Sequence, residues 1–398
     1  MYLITNGKII TEETLLVGYE LLIDDGKIAQ LAPEGELERQ PGLQVIDARG
    51  GYVSPGFIDI HSDYIEHMAA PRPTCLMDFR MSLREAEREM LSHGITTIFH
   101  SLSLFKSVEY KPKPIRSGEN VRKLIDLIEQ TDLEQYLIRH CFHARFEVDN
   151  VSEVETLKEF IASNKVHLVS FMDHTPGQGQ YRDLEMFRSI IKSYDNFNDQ
   201  QVDHMITELQ SKPKLTLSGL REIAELALNK GLAIASHDDD SLAKLELVRG
   251  LGTSISEFPL SLEIARAARE LGMFTMAGAP NILLGGSHNG NLSAAEAIQE
   301  GTIDILCSDY YPPSLLHAVF QLHWEHGLDL VELIKLVSLN PAAAVKRDQE
   351  LGSIREGKTA DLLVIELLET NFPVITKTFV AGNLNQCTSY QELERRAG

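Results

Sequence analysis

The sequence predicts an α/β protein, a (β/α)8 TIM-like barrel with a small β domain built from both chain termini. Three observations lead there. Short aliphatic or β-branched runs recur between amphipathic segments, the pattern of parallel strands joined by crossover helices. There are eight such runs, the number that closes a barrel of this kind. Both ends of the chain switch to short alternating stretches, and 398 residues exceed what one ordinary core needs. A doubly wound open sheet is the alternative reading of the same alternation.

In chain order, residues 1–54 carry "YLITNGKII" and "ELLIDDGKIAQLA", whose Asn-Gly and Asp-Gly pairs favour tight hairpins. The barrel runs begin with "FIDIH" (57–61), "ITTIFH" (95–100), "YLIRHCFHARFEV" (136–148) and "VHLVSFMDH" (166–174). They continue with "LAIASHDD" (232–239), "TSISEFP" (253–259), "MFTMAGAPN" (273–281) and "IDILCSDYY" (303–311). Helical patterns lie between them. In "SLREAEREMLSHG", Leu83, Ala86, Met90 and Leu91 share a face and Gly94 closes it; in "SLEIARAARELG", Ile264, Ala267, Ala268 and Leu271 do so before Gly272. Residues 175–231 exceed an ordinary βα connection, hold two helical patterns, and read as an insertion able to form a lid. After a helix near 331–346, "LGSIREGKTADLLVIE" and "ITKTFVAGNLN" resume the hairpin style. The expected division is 1–54 with 352–398 as the small β domain and 55–351 as the barrel.

Composition removes several functions. With 43% hydrophobic and 24% charged residues the chain has the balance of a folded, soluble protein. The 37 basic and 58 acidic residues give −21, which argues against nucleic acid and anionic membrane as partners. A polyanionic substrate therefore needs a local cationic site. "MYLITNGKIITEETLL" lacks a basic region followed by an apolar run, and no stretch is long enough to span a bilayer, so the expected location is the cytoplasm. Cys75, Cys141, Cys307 and Cys387 show no CxxC pairing and are expected to be packing residues. The absence of GxxxxGK[ST] disfavours a nucleotide-binding module. Oligomeric state is open, and a homo-oligomer is compatible with the sequence.

Chemistry is concentrated where the runs end. His61 and Asp63 follow the first, His100 the second, and His143, Arg145 and Glu147 lie along the third. Asp173 and His174 close the fourth, His237 and Asp238 the fifth, Glu257 the sixth, Asn281 the seventh and Asp309 the eighth. A single His or Asp at a strand end is more often a cap or a hydrogen-bonded core residue. The repetition carries the weight: so many carboxylates buried at one barrel mouth call for a compensating cation. In HxD, alternate residues of an extended segment point the same way, so His61 and Asp63 can reach a common centre. Imidazole and carboxylate donors suit zinc, with manganese, iron or nickel also compatible.

These residues resemble the amidohydrolase superfamily of metal-dependent barrel enzymes: HxD after the first strand, His and carboxylate ligands on later strands, Asp309 after the eighth, and a terminal "EGKTADLLVIE". Within it, "APRP", "SFMDHTPGQGQ", "ASHDDDS", "EFP", "GAPNILLGGSHNGN" and "SDYYPPSLL" are similar to a phosphonate-pathway diphosphatase family. "TCLMDF" after Pro73, Ser62 and Tyr64 depart from that family's pattern. The resemblance implies a divalent metal, one or two ions, held by His61, Asp63, Glu147, His174, His237 and Asp309. Asp173 or Glu257 could replace one of these, and Glu147 would stand where many relatives use a bridging carbamylated lysine.

It further implies cleavage of a phosphorylated ribose phosphonate, the 5-triphosphate, to the 5-phosphate and pyrophosphate. Asp309 would be the catalytic residue, accepting a proton from the attacking water. Arg72, Arg145, Arg182, Gly285, Gly286, Ser287 and His288 would contact phosphate oxygens. Arg145 stands out because an unpaired guanidinium inside an apolar strand is costly. Two other readings use the same residues. Hydrolysis of a cyclic amide or deamination of a small substrate predicts turnover of amides and indifference to the arginines. A non-catalytic scaffold predicts no metal.

Overall fold

The structure is a computed structural model, and it describes residues 1–72, 75–104, 114–194, 197–286, 292–369 and 371–390. The N-terminal strands are β1 (Tyr2–Ile10), β2 (Leu15–Asp24), β3 (Lys27–Pro33), β4 (Gln44–Asp47) and β5 (Tyr52–Pro55). Eight barrel strands follow: β6 (Phe57–Ser62), β7 (Ile95–Ser103), β8 (Arg139–Glu147), β9 (Leu168–Met172), β10 (Ala233–His237), β11 (Ile255–Glu257), β12 (Phe274–Gly278) and β13 (Ile305–Cys307). The chain ends in β14 (Leu362–Leu367), β15 (Pro373–Val380) and β16 (Asn383–Cys387).

Strands β6 to β13 are parallel and neighbour one another in sequence order, which excludes the open doubly wound alternative. Closure comes just past the last strand. Asp309 N–H donates to the His61 carbonyl at 3.1 Å, and Asp63 N–H donates to the Asp309 carbonyl at 2.6 Å. Ile58, Ile60, Phe99, Cys141, Leu168, Ala235, Met276 and Ile305 fill the barrel interior with apolar side chains, as in barrels generally. Polar inward positions are thereby left to the C-terminal ends of the strands.

The helices form for local reasons. Helix Phe79–Ser92 is capped by Asp78, which accepts from Met81 N–H at 2.8 Å, and buries Leu83, Ala86, Met90 and Leu91. Gly94 follows with φ +84°; a Cβ there would approach Ile375 and Leu363 side chains at 2.7 Å, so this turn is where barrel and terminal sheet press together. The region 175–231 contains three helices where the pattern predicts two. Leu184–Tyr194 and Asp199–Ser211 pack on each other through Phe187, Ile191, Val202 and Ile206. Leu217–Asn229 instead buries Ile223, Ala224 and Ala227 in the helix layer around the barrel, serving as an ordinary crossover helix before β10.

The termini meet in a second sheet, ordered β16-β15-β14-β5-β1-β2-β3 with β4 paired to β1. Of the two glycine pairs expected in hairpins, Asp25-Gly26, both at positive φ, does join β2 to β3. Asn6-Gly7 does not turn the chain; it is a bulge inside β1, with Asn6 at φ +53°. Gly7 lies so near Val53 that a Cβ would sit 2.7 Å from its methyl group. Arg139 of β8 pairs with buried Asp361, fastening this sheet to the barrel wall. Cys141 and Cys307 are buried as expected, whereas Cys75 and Cys387 are exposed rather than packed in a core. Among the described residues no helix is long and apolar enough to cross a membrane.

Candidate metal centre

Three barrel strands end in the same unusual way. Asp238, Phe258 and Asp309 follow β10, β11 and β13 closely and all have φ near +56° (55, 56 and 57°), a left-handed conformation that is uncommon for non-glycine residues and concentrates at functional sites. Their N–H groups still continue the ladder, to the carbonyls of Glu257, Met276 and His61. The kink breaks the alternation of side chains, so His237 and Asp238 approach each other instead of facing opposite ways: Nδ1 and Oδ2 are 2.9 Å apart.

Two overlapping groups of donors result. His61, His237 and Glu257 form one, and His174, His237 and Asp238 the other, with the donor atoms of each within 4.8 Å of one another. His61 Nδ1 lies 3.2 Å from Glu257 Oε1, while Ser170 donates to Oε2 at 2.5 Å. His174 Nδ1 lies 2.5 Å from Glu147 Oε1, and its Nε2 is 3.4 Å from Asp238 Oδ2. The Phe258 ring packs edge-on to His61 and tilted on His237, both centroids 5.0 Å away.

Electrostatics tie the buried carboxylates to the histidines around them. Burial opposes ionisation of Glu257 and Asp238, yet both are held far below the usual carboxylate range, Glu257 by His143, His61 and His237 and Asp238 by His237 and His174. Asp309 moves the other way, its pKa raised by burial and by Asp63. Burial drives His143 down to about 3, keeping it neutral. Asp63, Glu257 and Asp309 act on the guanidinium of Arg145, with Arg116 nearby already bound to Glu66 at 2.8 and 3.0 Å. The ring nitrogens of buried His237 meet no partner at hydrogen-bonding angles among the described residues, although Nδ1 lies 2.9 Å from Asp238 Oδ2. Imidazole lone pairs beside charged carboxylates in a dry site fit a divalent metal.

The expected residues are distributed as follows. His61, His174 and His237 converge, and Glu147 supports His174. Asp63 lies beyond the end of β6, as N-cap of helix Tyr64–Ala69, and so does not follow the strand alternation that would aim it beside His61. Its carboxylate takes Arg145 at 2.8 and 3.0 Å, although burial also places the charges of His61 and Asp309 in its field. Asp173 is tied to Lys214 at 2.8 Å. Arg72, Arg182 and Gly285 are exposed and Gly286 is half-buried, with no contact to the cluster among the described residues; Ser287 and His288 lie outside the described residues. Asp238 and Ser170 were not in the expected set. The run "HDDD" offered the first, but only the backbone kink says which acid turns inward.

A model of the amidohydrolase family matches residues 52–386. The chain belongs to the amidohydrolase family. This amidohydrolase is 34% identical over 371 residues, 91% of its length and 94% of the relative's, to alpha-D-ribose 1-methylphosphonate 5-triphosphate diphosphatase of Escherichia coli K12. An adenine deaminase of Clostridium botulinum is 24% identical over 352 residues, 86% of this chain and 49% of the deaminase. Among solved structures, molinate hydrolase superposes with a TM-score of 0.66 at 14% identity, over 96% of this chain and 94% of that one, which shows the shared fold.

Proposed function

We propose that this metal-dependent hydrolase cleaves α-D-ribose 1-methylphosphonate 5-triphosphate to the 5-phosphate and pyrophosphate, in the cytoplasm, as a step of phosphonate catabolism. The observation that carries the reading is the 34% identity, spread over nearly the full length of both chains, to a diphosphatase of that name. The nitrogen and oxygen donors around His237 suit zinc first, with manganese or iron as substitutes. A bound dication would lower the pKa of water and polarise a phosphoryl oxygen.

The chain's own residues do the rest. Asp309, raised by burial and its neighbour Asp63, is a base of suitable strength to take a proton from water. As the O–H bond breaks toward its carboxylate, the water oxygen bonds to the phosphorus nearest the sugar. The bond from that phosphorus to the bridging oxygen opens, and pyrophosphate leaves with the electron pair. Arg145, oriented by Asp63, offsets charge on the phosphoryl oxygens. Arg72, Arg182 and the Gly285–Gly286 backbone serve the outer phosphates at the rim.

Phosphorus NMR of the purified protein with the ribose triphosphate and added zinc, manganese or iron tests this. Pyrophosphate as the released product is expected; stepwise orthophosphate, or no turnover with any metal, overturns it. The adenine deaminase relationship favours a second reading, deamination of a small substrate, which ammonia release from purines and cyclic amides would reveal.

A further inference from the structure

Lys244 stands where a cation is not favoured. It lies in the first turn of helix Leu242–Arg249, whose N-cap Ser241 accepts from its N–H at 3.3 Å, and positive charge at that end opposes the helix dipole. The side chain turns back over the end of β10. Its Nζ donates to the His237 carbonyl at 2.7 Å and to the Asp238 carbonyl at 3.0 Å. Successive carbonyls of an extended strand point opposite ways. Two in a row reach one ammonium here because Asp238, at φ +55°, is left-handed.

A buried acid anchors this lysine. Asp239 is wholly buried; its Oδ1 accepts from Ser236 Oγ at 2.6 Å and its Oδ2 from Ser256 Oγ at 2.5 Å, with Lys244 Nζ 3.5 Å from Oδ1. Ser236 pairs with Ser256 between β10 and β11, one step before His237 pairs with Glu257. Alternation sets the serines on the opposite face of the wall from those two donors, so Asp239 ties together the backs of the strands that present them. The three acids of "HDDD" thus have separate tasks. Asp238 faces His237 and His174, Asp239 holds the wall, and Asp240 accepts from Gly179 N–H at 3.1 Å.

We propose that Lys244, anchored by Asp239, is a positioning residue for the metal centre: it holds the left-handed kink at Asp238, and with it the place of His237 and Asp238 among the donors. Without the ammonium, the carbonyls of two buried residues lose a charge-assisted donor. Asp238 then relaxes toward the extended backbone that residues other than glycine prefer, which turns its carboxylate away from His174. The inference rests on the metal-dependent reading above.

It is tested with zinc and cobalt alone on the full chain, comparing wild type, Lys244→Met and Lys346→Met. Lys244→Met keeps an unbranched stem and removes the donor. Lys346 is the control, since its Nζ donates to the Gly231 and Leu232 carbonyls just before the other end of β10. Metal affinity by chelator competition, the visible spectrum of the cobalt form and urea unfolding are measured. Lys244→Met should bind zinc at least about tenfold more weakly, within the range for loss of an outer partner, with an altered cobalt spectrum, while Lys346→Met keeps both. Unchanged affinity and spectrum in Lys244→Met overturn the assignment alone, as does an equal loss of affinity in Lys346→Met. Wild-type protein that takes up neither metal overturns it together with the metal reading. Should Lys244→Met fail to fold, Ser256→Ala decides: releasing one oxygen of Asp239 should weaken zinc binding in a protein that still unfolds cooperatively, and unchanged affinity overturns the proposal.

Discussion

Strands β7, β8 and β10 carry buried histidines on both sides of the barrel wall, and the two sides treat them differently. On the outer side, His100 Nε2 and His140 Nδ1 are 2.9 Å apart with stacked rings, and His140 Nε2 lies 3.4 Å from Glu87 of the first long helix. Glu87 also accepts from Leu137 N–H at 2.6 Å and meets Arg84, so this chain of groups reaches the surface inside the protein's own hydrogen-bond network. On the inner side, His143 Nε2 lies 3.7 Å from Glu257 and His237 Nδ1 2.9 Å from Asp238, neither at hydrogen-bonding geometry among the described residues. Burial alone does not separate a structural histidine from a ligand. The partner of its second nitrogen does.

That contrast can be broken most forcefully on the inner side. Asp309→Asn should lower kcat by about 1000-fold, within the range for loss of a general base, with little change in melting temperature. A rate within tenfold of wild type would remove Asp309 from the proton transfer. On the outer side the expected signature is reversed. Glu87→Ala removes the carboxylate that meets His140 Nε2 and accepts from the Leu137 N–H and should cost about 3 kcal/mol in urea unfolding, while metal content stays unchanged; lost metal with unchanged stability would erase the distinction.

The smallest effect is one of pH. Burial, then the neighbouring His140, holds His100 well below the ordinary histidine value. The unfolded chain takes up a proton below about pH 6.5 that the folded chain refuses. Stability is therefore complete above that pH and falls by about 1.4 kcal/mol per pH unit beneath it, until the folded value of His100 is reached. His143, driven to about 3, adds to the same trend in metal-free protein. Urea titrations of metal-free protein between pH 7 and 5 should show the slope reduced by one proton's worth in His100→Asn. An equal slope would mean the outer pair does not resist protonation.

Much of this was legible beforehand, because the barrel runs are rich in aliphatic residues and nearly every one finishes with a metal-capable side chain. His61, His174 and His237 could be found from that rule. His143, Arg145 and Glu147 belong to the same pattern, alternating along β8. Asp238 could not: its direction depends on a left-handed residue that no spacing announces. The Asp63–Arg145 pair could not be read either, because Asp63 lies where strand gives way to helix. Asn6-Gly7 reads as a turn in isolation, and only the neighbouring Val53 makes it a bulge.

The order of the terminal sheet has a consequence for synthesis. β5 runs directly into the first barrel strand, and one of its two neighbours is β14, made roughly 300 residues later. At ribosomal rates of about 5–20 residues per second that edge waits on the order of 15–60 seconds. A nascent chain thus keeps one edge of β5 unpaired, close to His61, until the C-terminal strands emerge, and release of incomplete chains would expose an edge suited to intermolecular pairing.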